Sequence, residues 1–283
     1  MTASSGNAAS AISAYCAAAG LKCLILLEPG NPSAKLRQAL ATGARVLPVQ
    51  GLFARGPEAV SGLVLEVAAR LNYYPAFVWA PVNPYILEGL KSIAYEIAAR
   101  LKGAPEVVVC PVGGGDLLAA QWRGYLELKR AELIGNLPRL IGVQSLNAPP
   151  LLKAFNAGDR RVTTLPNANS RISGINVAFT GDHALAAVCE SGGVVAGVTD
   201  EAILGMQTRL AVDEGVWVEP AGAASTVALA SLLEAGRVSA GERVVCVLTG
   251  AGFKDAHLAE ALSLGQQAAV EFNVDTIVRQ FTQ

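Results

Sequence analysis

The chain has 283 residues, of which 52% are hydrophobic and 16% charged, with a net charge of −1. That composition excludes a disordered polypeptide, and the mixed, near-neutral charge excludes the basic face that nucleic acid or an anionic membrane surface calls for. Mean hydropathy is +0.40, yet every apolar stretch is short and broken by Gly, Pro or a charge, which argues against a spanning helix of about 20 residues and for a buried parallel sheet.

In chain order, Met1 to Asn7 leads straight into a helix at 9–19 with no strand before it, as if the chain opened in mid-domain. Strands are predicted at 21–28, 45–51 and 76–80, with helices at 32–41 and 57–71 between them. The segment Trp79-Ala-Pro-Val-Asn-Pro-Tyr85 carries two prolines and a turn. It is expected to be the crossing between a small subdomain (1–82) and a larger one (83–283). Beyond it come a helix at 85–101, a strand at 106–112, a helix at 117–130 and a strand at 139–145. A polar surface loop at 157–169, helices at 200–214 and 221–235, and a strand at 243–248 complete the pattern. Alternating strands and helices are the mark of an α/β fold.

Cys16, Cys23, Cys110, Cys189 and Cys246 form no C-x-x-C pair and mostly lie in apolar runs, so buried free thiols of a reducing compartment are expected. The two histidines, His183 and His257, are too few for a zinc centre or a hydrolase triad and are expected at the surface. No charged region followed by an apolar core opens the chain, so a cytoplasmic location is expected.

Four loops could carry chemistry. Pro111-Val-Gly-Gly-Gly-Asp-Leu117 follows an apolar strand and opens a helix. It is either a phosphate cradle of backbone N–H groups or a plain tight turn, and it matches neither the dinucleotide nor the P-loop pattern. Asp116 could cap that helix, but a carboxylate facing a phosphate would repel it. Ser4-Ser-Gly-Asn-Ala8 is either a helix cap or a nest of donors for a carboxylate. Thr249-Gly-Ala-Gly-Phe-Lys-Asp255 follows a strand, at the sheet edge where open α/β folds bind ligands. Val218-Glu-Pro-Ala-Gly-Ala-Ala224 has good capping chemistry, and support is favoured over ligand contact.

Together and in this order, those loops resemble fold-type II pyridoxal phosphate enzymes, the group of threonine synthase, threonine dehydratase and serine racemase. Asn83-Pro-Tyr-x-x-Glu-Gly-x-Lys91 with Tyr95-Glu-Ile97, and Glu219-Pro-Ala-x-Ala-Ala224, add to the likeness, which runs from Ser4 to about Asp255. The resemblance implies two open, twisted, mainly parallel sheets flanked by helices, with the first part of the larger domain missing. It also implies a pyridoxal 5′-phosphate cofactor, a small amino-acid substrate and a homodimer. Asn7 is expected to bond the cofactor's phenolic oxygen. The backbone amides of Val112, Gly113, Gly114, Gly115 and Asp116 are expected to hold its phosphate, and the Thr249 hydroxyl to face the pyridine nitrogen. Ser4, Ser5 and Gly6 are expected to grip the substrate carboxylate. The departures are Asp116, where relatives often carry a small or neutral residue, and Ala251, where a His is often seen.

The resemblance implies a threonine-synthase-like lyase that converts O-phosphohomoserine to threonine and phosphate, with a threonine or serine dehydratase as the alternative. The Lys-Asp ending after Thr249-Gly-Ala-Gly252 favours the synthase. The family's Schiff-base lysine lies upstream of the asparagine loop, and none of Lys22, Lys35, Lys91, Lys102, Lys129, Lys153 and Lys254 occupies that place. The chain by itself is therefore expected to be N-terminally truncated and inactive, with no catalytic residue of its own. A cofactor-binding module without catalysis is the reading from another class.

Overall fold

The computed structural model describes residues 1–4, 6–29, 34–53, 56–254, 273–274 and 278–279. Ser5, Asp255 and His257 lie outside the described residues. The chain folds around two parallel sheets. The first is built from β1 (Thr2–Ala3), β2 (Leu24–Leu27) and β3 (Arg45–Pro48), in that order across the sheet. The second holds β4 (Val107–Pro111), β5 (Arg139–Ser145), β6 (Val194–Val198) and β7 (Val244–Cys246), in the order β6-β5-β4-β7.

The first sheet is covered by α1 (Asn7–Ala18) and α2 (Ala34–Ala41) on one face and α3 (Pro57–Leu71) on the other. Ile25 and Cys23 pack with Ala9 and Ala39, while Leu26 and Ala3 pack with Val60, Val64 and Ala68. The second sheet lies between α5 (Ser92–Leu101), α6 (Asp116–Arg130), α7 (Pro150–Ala157) and α8 (Asp182–Glu190) on one face, and α9 (Asp200–Glu214) and α10 (Pro220–Glu234) on the other. A short helix, α4 (Ile86–Leu90), precedes α5. Val108, Cys110 and Leu140 point to the first of those layers and Val107, Val109, Ile141 and Val143 to the second. A strand buried on both faces has no polar side, which is why 107–111 is unbroken in apolar residues.

Several sequence expectations are corrected. A strand does precede the first helix: Thr2 and Ala3 pair in parallel with Ile25 and Leu26. Residues 76–80 form no strand. Ala76 N–H bonds to the carbonyl of Met1, the residue before β1, at 2.8 Å. Strand β6 and helices α7 and α8 were not expected. Cys189 is exposed and Cys16 and Cys246 are half-buried, so only Cys23 and Cys110 are buried thiols. Burial pushes Cys110 up to about 12 and Cys23 to about 11. Among the described residues no helix is long and apolar enough to cross a membrane, and no group of three or more His, Cys, Asp and Glu could hold a metal ion.

Candidate functional site: an anion cradle at the edge of the second sheet

Strands β4 and β7 are neighbours, so the loops leaving their carboxyl ends, 112–115 and 247–251, stand side by side. The glycine loop ends at Gly115, the N-cap of α6, whose φ of +99° is left-handed. A Cβ there would also lie 2.5 Å from that of Ala184 on α8, so backbone conformation and packing both demand glycine.

The loop's carbonyls are tied back. The Thr180 hydroxyl donates to the Gly113 carbonyl at 2.7 Å, the Gly181 N–H to the Gly114 carbonyl at 2.9 Å, and the Gln144 amide steadies the Thr180 hydroxyl at 3.1 Å. With the carbonyls held on that side, the N–H groups of Gly113, Gly114, Gly115, Asp116 and Leu117 have no acceptor among the described residues. Five donors in succession at a helix N-terminus form an anion site. Val112 is not one of them: its N–H is spent on the Val143 carbonyl at 2.8 Å, as a continuation of the sheet. The expected phosphate ligand set is corrected at that residue.

The Asp116 side chain is 5% exposed, and its Oδ2 lies 3.7 Å from where a Cβ on Gly114 would sit. Its Oδ1 accepts the Ala80 N–H at 3.0 Å and meets His183 Nε2 at 2.9 Å. His183 is thus not the plain surface residue expected of it. Trp79 packs over Gly114, edge-on to Phe179 with ring centroids 4.8 Å apart and to His183 at 5.9 Å. Trp79, Gln144, Phe179, Thr180 and His183 went unnoticed in the sequence as parts of this loop. Gln144, Thr180 and His183 meet hydrogen-bond partners 36 to 67 residues away along the chain, and no local pattern announces them.

The asparagine loop follows β1 at the edge of the first sheet. Ser4 Oγ accepts the Gly6 N–H at 3.1 Å, and Gly6 caps α1. Asn7 Nδ2 donates to Glu219 Oε1 at 2.6 Å, which joins this loop to the N-cap residue of α10. Asn7 Oδ1 is buried with no partner among the described residues. Glu219, 3% exposed, also underlies the threonine loop: a Cβ on Gly250 (φ +67°) would sit 2.1 Å from Glu219 Cδ. That loop is stitched down by Glu219 N–H to the Gly250 carbonyl at 3.1 Å and Gly252 N–H to the Trp217 carbonyl at 3.0 Å. Thr249 is half-buried, and its backbone rests on Gly222 of α10. The Glu-Pro segment therefore does more than cap a helix; it couples two of the loops.

The second expected motif has a structural role. Lys91 Nζ reaches Glu88 at 2.6 Å and Glu127 at 2.7 Å, and the Tyr95 hydroxyl donates to Glu127. Asn83 Oδ1 accepts from the Tyr74 hydroxyl at 2.8 Å. The cluster fastens α4 and α5 to α6, the helix that presents the glycine loop.

An open parallel α/β sheet with an anion cradle at a helix N-terminus defines a class of phosphate-bearing-ligand binders. Residues 1–250 match the family of pyridoxal-phosphate dependent enzymes, and the chain belongs to it. Threonine synthase of Methanocaldococcus jannaschii is 37% identical over 257 residues, covering 89% of this chain and 62% of that protein. Threonine synthase of Methanosarcina acetivorans is 35% identical over 279 residues, covering 97% of this chain and 67% of that protein. The chain thus spans somewhat under two thirds of the first relative's length. Among solved structures, a threonine deaminase from T.th. superposes with a TM-score of 0.72 at 22% identity, covering 90% of this chain and 77% of that one. Maize serine racemase superposes with a TM-score of 0.73 at 20% identity, covering 92% and 75%. At those identities the likeness speaks for the fold. The residues present fit the family's cofactor on two counts: five N–H donors with no acceptor among the described residues suit a phosphate dianion, and the buried Asn7 Oδ1, with no partner among those residues, suits a polar group.

Proposed function

We propose that this chain carries the cofactor cradle of a threonine-synthase-like lyase, which converts O-phosphohomoserine to threonine and phosphate. The observation that carries the reading is the glycine loop, with its carbonyls tied back and its amides offered outward, in a chain 33–37% identical to threonine synthases over most of its length. Gly113, Gly114, Gly115 and Asp116 hold the cofactor phosphate through their N–H groups. The Thr249 hydroxyl faces the pyridine nitrogen, and Ser4, Ser5 and Gly6 grip the substrate carboxylate. Asn7 is a ring-oxygen ligand with a constraint. Its Nδ2 gives one N–H to Glu219, which leaves the second N–H and the buried acceptor Oδ1 for the ring oxygen. When bound, the cofactor supplies an electron sink for a substrate carbanion. The protein's own residues bind, orient and exclude water.

The chain spans 62% and 67% of its archaeal relatives, so activity is proposed for the whole protein to which these residues belong. The test supplies O-phosphohomoserine to the product of the complete gene and follows phosphate release, with threonine and serine supplied in parallel and ammonia followed. Phosphate release with stoichiometric threonine supports the reading. Ammonia release without phosphate release assigns the dehydratase instead. Cofactor retained with neither product leaves the binding module.

A further inference from the structure

We propose that His183 is a positioning residue that makes the glycine loop tolerate Asp116, and that this pair sets the cradle's preference for the phosphorylated over the unphosphorylated cofactor. The inference rests on the cofactor reading above. Asp116 is the first residue of α6 and follows directly on the three glycines. A carboxylate at that place competes with a phosphate for the same N–H groups and repels it. In the structure one carboxylate oxygen, Oδ1, is held by two donors, Ala80 N–H and the His183 ring, which fixes the orientation of the group beside the loop. The ring lies over Gly181, where an added Cβ would fall 2.0 Å from His183 Cε1. Gly181 N–H in turn holds the Gly114 carbonyl at 2.9 Å. One imidazole therefore orients the loop's only charged side chain and covers the bond that aims the loop's amides. The Ala80 N–H alone leaves the carboxylate half-held, free to swing toward the cradle.

The experiment measures binding of pyridoxal 5′-phosphate and of pyridoxal by equilibrium dialysis at pH 6.5, for the wild-type chain, His183→Phe, Asp116→Asn and the double variant. Phe keeps an aromatic ring against Trp79 and removes the donor. His183→Phe is expected to weaken the phosphorylated ligand about tenfold and to leave pyridoxal within about twofold. In the Asp116→Asn background the same substitution is expected to cost less than about twofold, because no carboxylate remains to be held. Equal losses for both ligands, or a loss that persists in the Asp116→Asn background, would reduce His183 to packing and overturn the proposal. Unchanged binding in His183→Phe would overturn it too. A wild-type chain that prefers pyridoxal, or binds neither ligand, would overturn the cofactor reading itself along with it.

Discussion

Asn7 and Glu219 are 212 residues apart and share a 2.6 Å hydrogen bond that joins the loop after β1 to the N-cap of α10. The bond is a polar link between the loops at the two sheets' carboxyl edges, and the same carboxylate forms the floor under Gly250. Glu219→Ala removes the acceptor of a buried amide and opens a void beneath the threonine loop. It is expected to cost about 2–4 kcal/mol of stability, while Glu219→Gln, which keeps the volume and an acceptor oxygen, costs about 1 kcal/mol or less. Urea denaturation of the two variants checks this. Equal losses would show that the carboxylate itself matters and the packing at Gly250, which Gln preserves, does not.

Gly115 combines a left-handed φ with a 2.5 Å clash between any added Cβ and Ala184. Gly115→Ala is expected to cost roughly 2–4 kcal/mol and to abolish retention of pyridoxal phosphate, because α8 must retreat and take Thr180 and Gly181 with it. Gly135→Ala, with nothing within 4 Å of the added carbon, is the control and is expected within about 0.5 kcal/mol of wild type. Thermal melting and dialysis read both. A Gly115→Ala chain that melts and binds like wild type would remove the packing argument.

How much of this was legible in the sequence depended on whether the cause was local. Helices 57–71 and 200–214 and strand 139–145 were readable to the residue, because their caps and apolar periods lie within them. Strand β6 was not: Val-Val-Ala-Gly-Val is short, and its Gly197 admits Leu146 and Leu152 from other elements. The four loops stood out as motifs, since glycines and caps are local chemistry. The residues that aim them, Gln144, Thr180, His183 and Glu219, act through contacts made only in the folded chain. Asp116 was puzzling for the same reason, as the partners that hold its carboxylate come from residues 80 and 183.

Asp200 is the anchor of the segment that carries Thr180 and His183 to the loop. Buried at the start of α9, it accepts from Ser145 Oγ at 2.6 Å, Ser170 Oγ at 2.8 Å, Arg171 N–H at 2.7 Å and Asn147 Nδ2 at 3.2 Å. Burial alone would raise its pKa, but those four donors outweigh it and hold the carboxyl below the usual range. A depressed folded-state pKa gives stability that is present above the unfolded value of about 3.9 and lost as pH falls through the folded one. Asp200→Asn is expected to cost about 2–3 kcal/mol at pH 7. The gap from wild type should narrow below about pH 4. Denaturation at pH 7, 5 and 3.5 tests this, and a gap that widens with acid would mean the carboxylate is not what the serines hold.

Lys91 titrates in the opposite sense. Its hydrogen bonds to Glu127 and then Glu88 raise its pKa above the ordinary lysine value against a smaller effect of burial, and Glu127 is lowered in return. A raised folded-state pKa gives stability fully present below the unfolded value, about 10.4, and lost as pH climbs through the folded one. Both carboxylates are about half exposed, so solvent screens the pair. Lys91→Met is then expected to cost only about 1 kcal/mol, constant between pH 6 and 9. Because the cluster ties α4 and α5 to the helix that presents the glycine loop, the variant should also bind pyridoxal phosphate more weakly while its preference over pyridoxal stays unchanged. Denaturation midpoints at pH 7, 9 and 11 and the paired dialysis separate the two effects. A stability gap that grows between pH 9 and 11 contradicts the sign of the shift. A change in the ratio of the two ligands would instead put Lys91 in the cradle, a place its two carboxylate partners deny it.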